Sequence, residues 1–466
     1  MNQFSLETIS KEKPIYMIGI GGISMSALAI LLKTAGYKVE GSDFKESDMT
    51  QTLRKEGITV HIGHNAENIG EVSAVVYTAA IKEDNPELKR ARTLSVPVVE
   101  RAVLLGEIMK GYRYPIAVSG THGKTTSTSM LSQILLEADF DPAILVGGIL
   151  PSIGSNMRVG SRGYLVTEAC EYCGSFLKFF PKISIILNVD EDHLDYFKDI
   201  HDIIRCFHNF ALKTPEDGLL IVNADDPNAM EAVRGVNRPM RTFSAEGKKA
   251  DFTAENIRYG ENGCAGFDLL ADGKLFMHAV LSVPGAHNVK NALAVVAAAE
   301  FLGATPEQIQ RGFDAFSGTC RRFEKKGTYN GAQVIDDYAH HPTEIRATLK
   351  TARSAAGGGR VLCVFQPHTY TRALKLKKEF SESFSDCDKV LVVDIYAARE
   401  KDTGLISSAE IAKDINEKSQ NAQYAESFAQ AEVILKEEAK PSDFIITMGA
   451  GDVYKIGEAL ILKDSE

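Results

Sequence analysis

The sequence predicts an α/β protein of three domains. Its 466 residues suit three domains at roughly 150 residues each. Three regions repeat the order strand, polar or glycine-rich loop, helix, which is typical of parallel, doubly wound sheets. A phosphate-loop motif stands in the second region, and GTCRRFEKKG interrupts the pattern before the third. We therefore predict a Rossmann-like domain over 1–110, a central P-loop ATPase-like domain over 111–318 and a C-terminal Rossmann-like, doubly wound domain over 319–466.

The composition is that of a cytoplasmic protein. Lys and Arg total 52 against 62 Asp and Glu, and no long basic run offsets the net charge of −10, so we expect no nucleic-acid partner. The segment MNQFSLETISKEKP lacks the apolar core of a signal peptide, and no apolar run is long enough to span a bilayer, so we expect no membrane association. The seven scattered cysteines fit reduced thiols. A monomer or weak homodimer is expected, because no helix has the pattern of an interface.

The first element is a strand, a glycine turn and a helix, within PIYMIGIGGISMSALAILLKTAGYKVEGSD. Glycines let the backbone approach a phosphate at the helix N-terminus, and Asp43 ends the next strand, where an acid can bind a ribose. Ser24 occupies the third glycine position of G-x-G-x-x-G, so a tight turn without a ligand is the alternative. The strand AVVYTAAI leads into a loop beside the same crevice. The predicted nucleotide-binding residues are Gly19, Gly21, Gly22, Ser24, Asp43, Thr78 and Ala79.

The second element is the phosphate loop SGTHGKTT, which follows the strand Ile116–Val118 and precedes a helical segment. Its spacing is short, since Val118 stands where G-x-x-x-x-G-K-[ST] has its first glycine. Backbone N–H groups of such a loop point at phosphate oxygens, Lys124 supplies a positive charge, and the Thr125 hydroxyl is placed to ligate Mg²⁺. A structural turn with a solvated lysine is the alternative. The predicted binding residues are Gly120, Thr121, His122, Gly123, Lys124, Thr125 and Thr126.

Acidic side chains follow the next two strands, in YLVTEACEYCGSF and ISIILNVDEDHLDYF. Carboxylates and an imidazole beside a phosphate loop suit Mg²⁺, whereas the alternative is that they cap helices and face water. A lone C-x-x-C pair, Cys170 and Cys173, is interpreted as free thiols because no second pair completes a zinc site. The acidic and histidine residues of this cluster are Glu168, Glu171, Asp190, Glu191, Asp192, His193 and Asp195.

A further helix and a third set of strands complete the chain. The segment SVPGAHNVKNALAVVAAAEFLG carries His287, Asn288 and Asn291 on one face of its first turns. Asparagine amides can read an adenine edge, although Asn288 alone fits a helix cap equally well. Beyond Arg321, four segments pair a strand with a polar loop, and these loops would gather at the carboxyl edge of a parallel sheet. The segments are AQVIDDYAHHPTEIRATLKTA, GRVLCVFQPHTYTRALKLKKEF, DKVLVVDIYAAREKD and DFIITMGAGDVYKIGEAL.

In this order the motifs resemble those of the Mur ligase family, whose members add amino acids to the UDP-sugar precursor of bacterial peptidoglycan. The resemblance rests on GIGGISMSALA, SGTHGKTT, EACEYCGSF, NVDEDHLDYF, PGAHNVKNALA, RRFE, DDYAHHPTEI and QPHTYTR, which span nearly the whole chain. The family's loop has the form G-T-x-G-K-[ST]. This form lacks the first glycine of the longer motif, so Val118 agrees with it. The resemblance implies UDP binding by the N-terminal domain, ATP and Mg²⁺ binding by the central domain, and amino-acid binding by the C-terminal domain.

The reaction that the resemblance implies is ATP-dependent ligation of L-alanine to the lactyl carboxylate of UDP-N-acetylmuramate. It would pass through an acyl phosphate and a tetrahedral intermediate and release ADP and phosphate. A sister ligase that adds another amino acid or a peptide is the close alternative. A nicotinamide-dependent oxidoreductase would leave the phosphate loop, the acidic cluster and the third domain unused, and a non-catalytic nucleotide sensor built on the same fold is a third alternative.

The resemblance also implies roles for single residues. It places Lys124 at the β- and γ-phosphates, Thr125 and Glu168 at a first Mg²⁺, and His193 at a second metal. The segment EACEYC stands where many relatives have EADEYD, which makes Glu171 a rival of Glu168. The adenine contacts implied are His287, Asn288 and Asn291.

The C-terminal domain would complete the nucleotide site and hold the acceptor amino acid. Arg372 is assigned to the carboxylate of alanine, and Thr369 stands where some relatives carry an arginine. The other residues assigned here are Arg321, Asp336 and Asp337 for nucleotide and interdomain contacts, and His341 and His368 for the acceptor side. The predicted catalytic residues are Lys124, His193, His341 and Arg372.

Overall fold

The computed structural model describes residues 4–194, 196–398, 400–402 and 404–464. Three sheets of five, ten and six strands follow one another along the chain, which confirms the three-domain α/β fold predicted from the sequence. The domain boundaries after 110 and 318 stay predictions. Within the described ranges, no helix combines the length and the apolarity needed to cross a membrane. Asp195, one of the predicted acidic residues, lies outside them.

The N-terminal sheet is wholly parallel and helices flank it. Its elements are β1 (Ile15–Ile18), α1 (Ile23–Thr34), β2 (Val39–Asp43), α2 (Asp48–Lys55), β3 (Thr59–Ile62), β4 (Ala74–Tyr77), α3 (Pro86–Arg92), β5 (Val98–Glu100) and α4 (Arg101–Met109). The strand order is β3-β2-β1-β4-β5. All four residues of β1 are buried, as expected of a central strand covered on both faces. The order reverses between β1 and β4, and such a switch point opens a crevice for a ligand.

The central sheet joins a parallel core to antiparallel hairpins at both ends. Its elements are β6 (Tyr114–Ser119), α5 (Lys124–Glu137), β7 (Ala143–Leu150), β8 (Ser155–Arg158), β9 (Tyr164–Ala169), β10 (Ile183–Ile186), α6 (Ile200–Ala211), β11 (Leu219–Asn223), α7 (Pro227–Ala232), β12 (Met240–Ser244), β13 (Phe252–Tyr259), β14 (Cys264–Ala271), β15 (Lys274–Pro284), α8 (His287–Phe301) and α9 (Pro306–Ala315). Its strand order is β15-β14-β13-β12-β11-β10-β6-β9-β7-β8.

Four adjacent parallel strands of this sheet, β11-β10-β6-β9, position the central site. Because they are parallel neighbours, the loops that follow them meet at one edge of the sheet. The phosphate loop follows β6, the first acidic segment begins at Glu168, the penultimate residue of β9, and the second acidic segment follows β10. The sequence analysis predicted these segments separately, and the sheet order brings them side by side.

The N-terminal and central domains pack closely through α4. A Cβ added at Gly106 would lie 2.0 Å from the backbone oxygen of Lys178, so only glycine allows this approach. A single buried apolar cluster contains Leu104 and Leu105 of α4 together with Phe176, Phe207 and Phe210 of the central domain. This packing holds Arg101, the first residue of α4, beside the crevice between the two domains.

The C-terminal sheet is parallel except at one edge. Its elements are β16 (Glu324–Tyr329), β17 (Ala332–Asp337), α10 (Pro342–Ala356), β18 (Val361–Phe365), α11 (Tyr370–Lys375), α12 (Lys377–Ser381), β19 (Lys389–Val392), α13 (Ser408–Ser419), β20 (Ala422–Tyr424), α14 (Phe428–Glu438), β21 (Phe444–Met448) and α15 (Tyr454–Asp464). The strand order is β16-β17-β21-β18-β19-β20.

The edge strand β16 is an element that the sequence analysis missed. It pairs antiparallel with β17 through a turn at Asn330 and Gly331, whose φ angles are 48° and 78°. Positive φ at both central residues favours Asn-Gly in a two-residue hairpin. The dipeptide in TYNGAQ was therefore the signal for a hairpin here.

Candidate active site

The phosphate loop has the backbone of an anion-binding turn. Gly120 and Gly123 have φ angles of +141° and +82°, and Gly123 is the N-cap of α5. A Cβ at Gly120 would lie 2.9 Å from Cβ of Leu187, so glycine is required there. Within the described residues no side chain caps this end of α5, which leaves its first N–H groups for an anion.

Asn188 clamps the loop from the neighbouring strand. Its Oδ1 accepts a hydrogen bond from the backbone N–H of His122 at 2.8 Å, and its Nδ2 donates to the oxygen of His122 at 3.0 Å. The sequence analysis missed this residue. Its signal in the sequence was an amide two residues after the strand ISII, beside the acidic segment.

The ammonium group of Lys124 is folded onto its own loop. Nζ donates to the backbone oxygens of Gly120 and Thr121 at 2.5 and 3.0 Å and lies 3.2 Å from Oε2 of Glu171. Burial alone would lower the pKa of Lys124, but the negative charges of Glu171 and Glu168 raise it above its ordinary value. The lysine is therefore fully charged, and Glu171 is the carboxylate that neutralises it.

Glu168 and Glu171, the two candidates for the magnesium-binding carboxylate, occupy different environments. Oε1 of Glu168 accepts a hydrogen bond from the N–H of Gly147 at 2.5 Å, and within the described residues no cation lies within ion-pair distance of Glu168. Glu171 is 2% exposed, contacts Lys124, and lies 3.8 Å from Nε2 of His193. Glu168 is thus free to ligate a cation, whereas Glu171 already has one.

Thr125 lies close to the same side of the site. A Cβ at Gly148 would be 3.5 Å from Cγ2 of Thr125, and Gly147 is the residue that Glu168 contacts. The Thr125 hydroxyl makes no hydrogen bond to any described residue. A hydroxyl and a carboxylate without a cation form an oxygen donor set that suits Mg²⁺, so the residues present fit that ion.

A cavity of about 830 Å³ extends from the phosphate loop between the central and C-terminal domains. Its wall contains residues predicted for the nucleotide, namely His122, Gly123, Thr126, His287, Asn288 and Asn291. Burial lowers the pKa of His287 to about 4, so its ring is neutral. Nδ2 of Asn291 donates to Oδ1 of Asn288 at 2.9 Å, which orients the two amides together.

The C-terminal wall of this cavity contains Asp337, one of the three residues assigned to nucleotide and interdomain contacts, but lacks the other two. Arg321 and Asp336, which we assigned to the nucleotide, form an ion pair at 3.0 Å and do not line the cavity, whereas Arg322 and Asp337 do. Successive residues of a strand point to opposite faces, so Asp336 and Asp337 cannot both face the cavity. Arg321 is held instead by Gly449, whose oxygen accepts from its guanidinium at 2.7 Å.

The glycine turn of the N-terminal domain faces the loop after β4, as expected for a shared crevice. Gly19 has a φ of +80°, and a Cβ there would lie 2.9 Å from Cγ2 of Thr78; the next residue, Ala79, is exposed. Oδ2 of Asp43 accepts the N–H of Gly21 at 2.9 Å, so this acid shapes the turn. Gly22 is the N-cap of α1.

Arg101 is a residue of this crevice that the sequence analysis missed. Its Nη1 donates to Oγ of Ser24 at 2.8 Å, and within the described residues it has no carboxylate partner. Desolvation lowers its pKa, and the side chain lies close enough to Cys170 for an electrostatic interaction. A half-buried cation without an anion therefore lies between the glycine turn and the segment that carries Glu171. No local motif around it marked it as a ligand.

The predicted acceptor residues dock onto the acidic loop of the central domain. Nη2 of Arg372 lies 2.8 Å from Oδ1 of Asp192, and Nη1 lies 2.9 Å from Nδ1 of His368. Nε2 of His341 lies 2.9 Å from the oxygen of Glu191. The C-terminal domain is therefore closed onto the loop that also carries His193.

Comparisons with known proteins agree with this geometry. Three models of the Mur ligase family match in order: the catalytic domain at residues 14–113, the middle domain at 118–299 and the glutamate ligase domain at 321–451. The UDP-N-acetylmuramate–L-alanine ligase of Acetivibrio thermocellus is 51% identical over 466 residues, which are 100% of this chain and 99% of the relative. The enzyme of that name from Clostridium tetani is 48% identical over 457 residues, with 98% and 100% covered.

Solved structures show the same likeness. A UDP-N-acetylmuramate-alanine ligase from Thermotoga maritima superposes with a TM-score of 0.81 at 29% identity, covering 97% of this chain and 99% of that one. A murein peptide ligase from Psychrobacter arcticus gives 0.71 at 27% identity, with 97% and 98% covered. Because the three family domains follow one another along the chain and half of its residues are shared over the full length of a relative, this chain belongs to the Mur ligase family.

Proposed function

We propose that this protein uses ATP to join L-alanine to the lactyl carboxylate of UDP-N-acetylmuramate, a step in the synthesis of peptidoglycan precursors. The observation that carries the proposal is that one loop, residues 188–193, contacts the phosphate loop, the acidic segment with Glu171 and the predicted acceptor residues of the C-terminal domain. The segment 188–193 clamps the phosphate loop through Asn188, carries His193 beside Glu171, and receives Arg372 and His341 from the C-terminal domain. The glycine turn of the N-terminal domain lies across the adjacent crevice.

The chemistry requires activation of a poor electrophile. The lactyl carboxylate attacks the γ-phosphorus of ATP, and the bond between this phosphorus and the β–γ bridging oxygen breaks. ADP is the leaving group, and the product of this step is an acyl phosphate. The uncharged amine of alanine then adds to the acyl carbon and loses a proton, and the tetrahedral intermediate collapses as the C–O bond to phosphate breaks. The protein's part is to position the reactants and to stabilise the negative charge that develops during phosphoryl transfer.

The residues of the central domain fit that role. Lys124 would move from the oxygens of Gly120 and Thr121 onto the β- and γ-phosphates, since both kinds of oxygen accept the same N–H groups. We assign Thr125 and Glu168 as ligands of a first Mg²⁺, and His193 with Glu171 beside a second position. When bound there, Mg²⁺ would neutralise phosphate charge. Neutral His287, with Asn288 and Asn291, would face the adenosine part of ATP.

Arg101 is expected to bind the sugar nucleotide through its diphosphate. It is a half-buried guanidinium next to the N-terminus of α1, and no carboxylate among the residues that the structure describes pairs with it. Guanidinium groups pair with phosphates in a bidentate manner. Replacing Arg101 by Ala should raise KM for UDP-N-acetylmuramate by on the order of 100-fold, because hydrogen bonds between charged groups are among the stronger ones. Initial rates at saturating ATP and alanine measure this change. A raised KM for ATP, with that for the sugar nucleotide unchanged, would contradict the assignment.

The direct test of the proposal is alanine-dependent release of phosphate. The protein is incubated with UDP-N-acetylmuramate, ATP and Mg²⁺, and phosphate is measured with and without L-alanine. We expect stoichiometric ADP, phosphate and UDP-N-acetylmuramoyl-alanine only in the complete mixture. Competition among alanine, glycine, serine and a peptide separates the proposal from a sister ligase, which is the second candidate because a murein peptide ligase shares the fold. Turnover with the peptide but not with alanine would favour that candidate.

A further inference from the structure

His122 lies in the phosphate loop, and its side chain has no role in the proposed chemistry. Its Nε2 lies 3.3 Å from Oδ2 of Asp190, and its Nδ1 lies 3.4 Å from Oε1 of Glu344. Asp190 belongs to the acidic loop of the central domain, and Glu344 belongs to α10 of the C-terminal domain. The imidazole is 15% exposed, so it is largely removed from water.

Two carboxylates on opposite nitrogens determine the protonation state of this ring. A neutral imidazole has one N–H and one bare nitrogen, and a bare nitrogen facing a carboxylate is repelled. Burial would raise the pKa of both carboxyl groups, but the pKa of Asp190 is lowered chiefly by His122, and that of Glu344 is lowered by His340, His122 and Arg322. Both acids are therefore ionised near neutral pH, and the ring must carry both protons to satisfy them.

Each carboxylate is fixed independently of the histidine. Oδ2 of Asp190 accepts the hydroxyl of Thr343 at 2.9 Å. Oε2 of Glu344 accepts the backbone N–H of His340 at 3.1 Å and that of His341 at 3.3 Å, the latter as part of the capping box of α10. The contact of His122 with Asp190 lies within the central domain, whereas its contact with Glu344 crosses the junction and exists only while the C-terminal domain lies against the phosphate loop.

The same side chains could be taken for a metal site, because atoms of His122, Asp190 and His341 lie within 4.8 Å of one another. The hydrogen bonds of His341 argue against a metal site. Nε2 of His341 faces the oxygen of Glu191 at 2.9 Å, and its Nδ1 accepts the N–H of Thr343 at 3.3 Å. Both nitrogens of His341 are thus occupied, and the ring packs 4.8 Å from that of His122.

We propose that His122 is a positioning residue: its doubly protonated ring bridges Asp190 and Glu344 and thereby couples the phosphate loop to the closed C-terminal domain. The bridge also places a positive charge between two carboxylates that would otherwise repel a bound triphosphate. The proposal rests on the proposed function, since it predicts that alanine is used well only when the phosphate loop holds the C-terminal domain in place.

The first test is a double-mutant cycle on kcat/KM for alanine. His122→Gln and Glu344→Gln should each lower it by on the order of 10-fold, a typical coupling between sites, and should leave KM for UDP-N-acetylmuramate unchanged. The double variant should be no worse than the worse single variant, because both changes remove one interaction. Effects that multiply, or single variants that match the wild type, would overturn the proposal. His278→Gln is the matched control, since His278 pairs with Asp268 at 2.5 Å on an exposed hairpin.

The second test measures the ring itself and needs no turnover. ¹⁵N NMR of histidine-labelled protein, in complex with a non-hydrolysable ATP analogue and the sugar nucleotide, should show both nitrogens of His122 protonated near neutral pH. Hydrogen bonds to Asp190 and Glu344 overcome burial and raise the pKa of His122 from 6.5 to about 9. The other titratable group against the ring, His341, has its pKa lowered by burial and stays neutral.

The sign of the pH dependence follows from that shift. A raised pKa in the closed form means that the bridge stabilises closure fully below pH 6.5 and is lost as the pH rises through about 9. Glu344→Gln should lower the pKa of His122 toward its ordinary value. If His122→Gln fails to fold, this variant is used for the test in its place. A singly protonated His122 near neutral pH would overturn the proposal even if ligase activity is found, whereas absent ligase activity with a doubly protonated ring would reject only the proposed function.

Discussion

Replacing Lys124 by alanine is expected to reduce kcat by about 10³-fold or more, in line with the loss of a preorganised charge at a transferring phosphoryl group. Lys124 is the first residue of α5, and its ammonium group already lies at the loop that would hold the phosphates. Binding of the sugar nucleotide should stay within about twofold of the wild-type value, because its predicted site lies in the other domain. Phosphate release and calorimetric titration with UDP-N-acetylmuramate measure the two quantities.

The control for this variant must separate catalysis from stability. Loss of Lys124 leaves the buried carboxylate of Glu171 without its cation, and such a loss destabilises proteins by about 3–5 kcal/mol. Thermal melts with Lys124→Ala, and with Lys274→Ala on the exposed hairpin of the same domain, show whether both variants are folded at the assay temperature. Substantial turnover by a folded Lys124→Ala protein would refute the assignment of the loop.

Replacing Arg372 by alanine is expected to raise KM for L-alanine by roughly 100-fold, which corresponds to the loss of a half-buried, charge-assisted contact. Two interactions of Arg372, one seen in the structure and one predicted from the sequence, would each account for this increase in KM. The guanidinium pairs with Asp192 across the domain junction, and it was predicted to bind the carboxylate of the amino acid. Steady-state rates at saturating ATP and sugar nucleotide measure the effect.

Asp192→Asn separates the two roles of Arg372. Removing the negative charge of Asp192 weakens the tie between the domains but leaves the guanidinium free to bind a carboxylate. If Arg372 binds alanine, Asp192→Asn should raise KM for alanine far less than Arg372→Ala does. Equal effects of the two substitutions would mean that Arg372 only holds the domains together, and the acceptor carboxylate would need another partner.

Much of the fold could be predicted because its signals are local. The apolar run of β1 before three glycines, the Gly-Lys-Thr sequence before α5 and the long apolar helix α8 each indicate their structure within a few residues. The Asn-Gly hairpin before β17 was equally local, and it was missed because the strand ahead of it, EKKGTY, is polar and half-exposed.

The choice between neighbouring residues was not local. The sequence analysis assigns Arg321 but not the adjacent Arg322, treats Asp336 and Asp337 alike, and leaves Glu168 and Glu171 as rivals. The structure separates the members of each pair, because a strand alternates its side chains between two faces and because Glu168 lies within β9, one residue before its end, while Glu171 lies beyond the strand, against Lys124. Each member of a pair therefore meets a different environment.

The sequence by itself determined the order of the motifs, the three-domain α/β architecture and the chemical groups available for phosphate and magnesium binding. Only the tertiary structure decided which of these groups meet: Arg372 with Asp192, 180 residues away in the chain, His122 with two carboxylates from two domains, and Arg101 with Ser24. The physical reason is that periodicity and glycine placement act over a few residues, whereas ion pairs across a domain junction form only when separately folded units pack against each other.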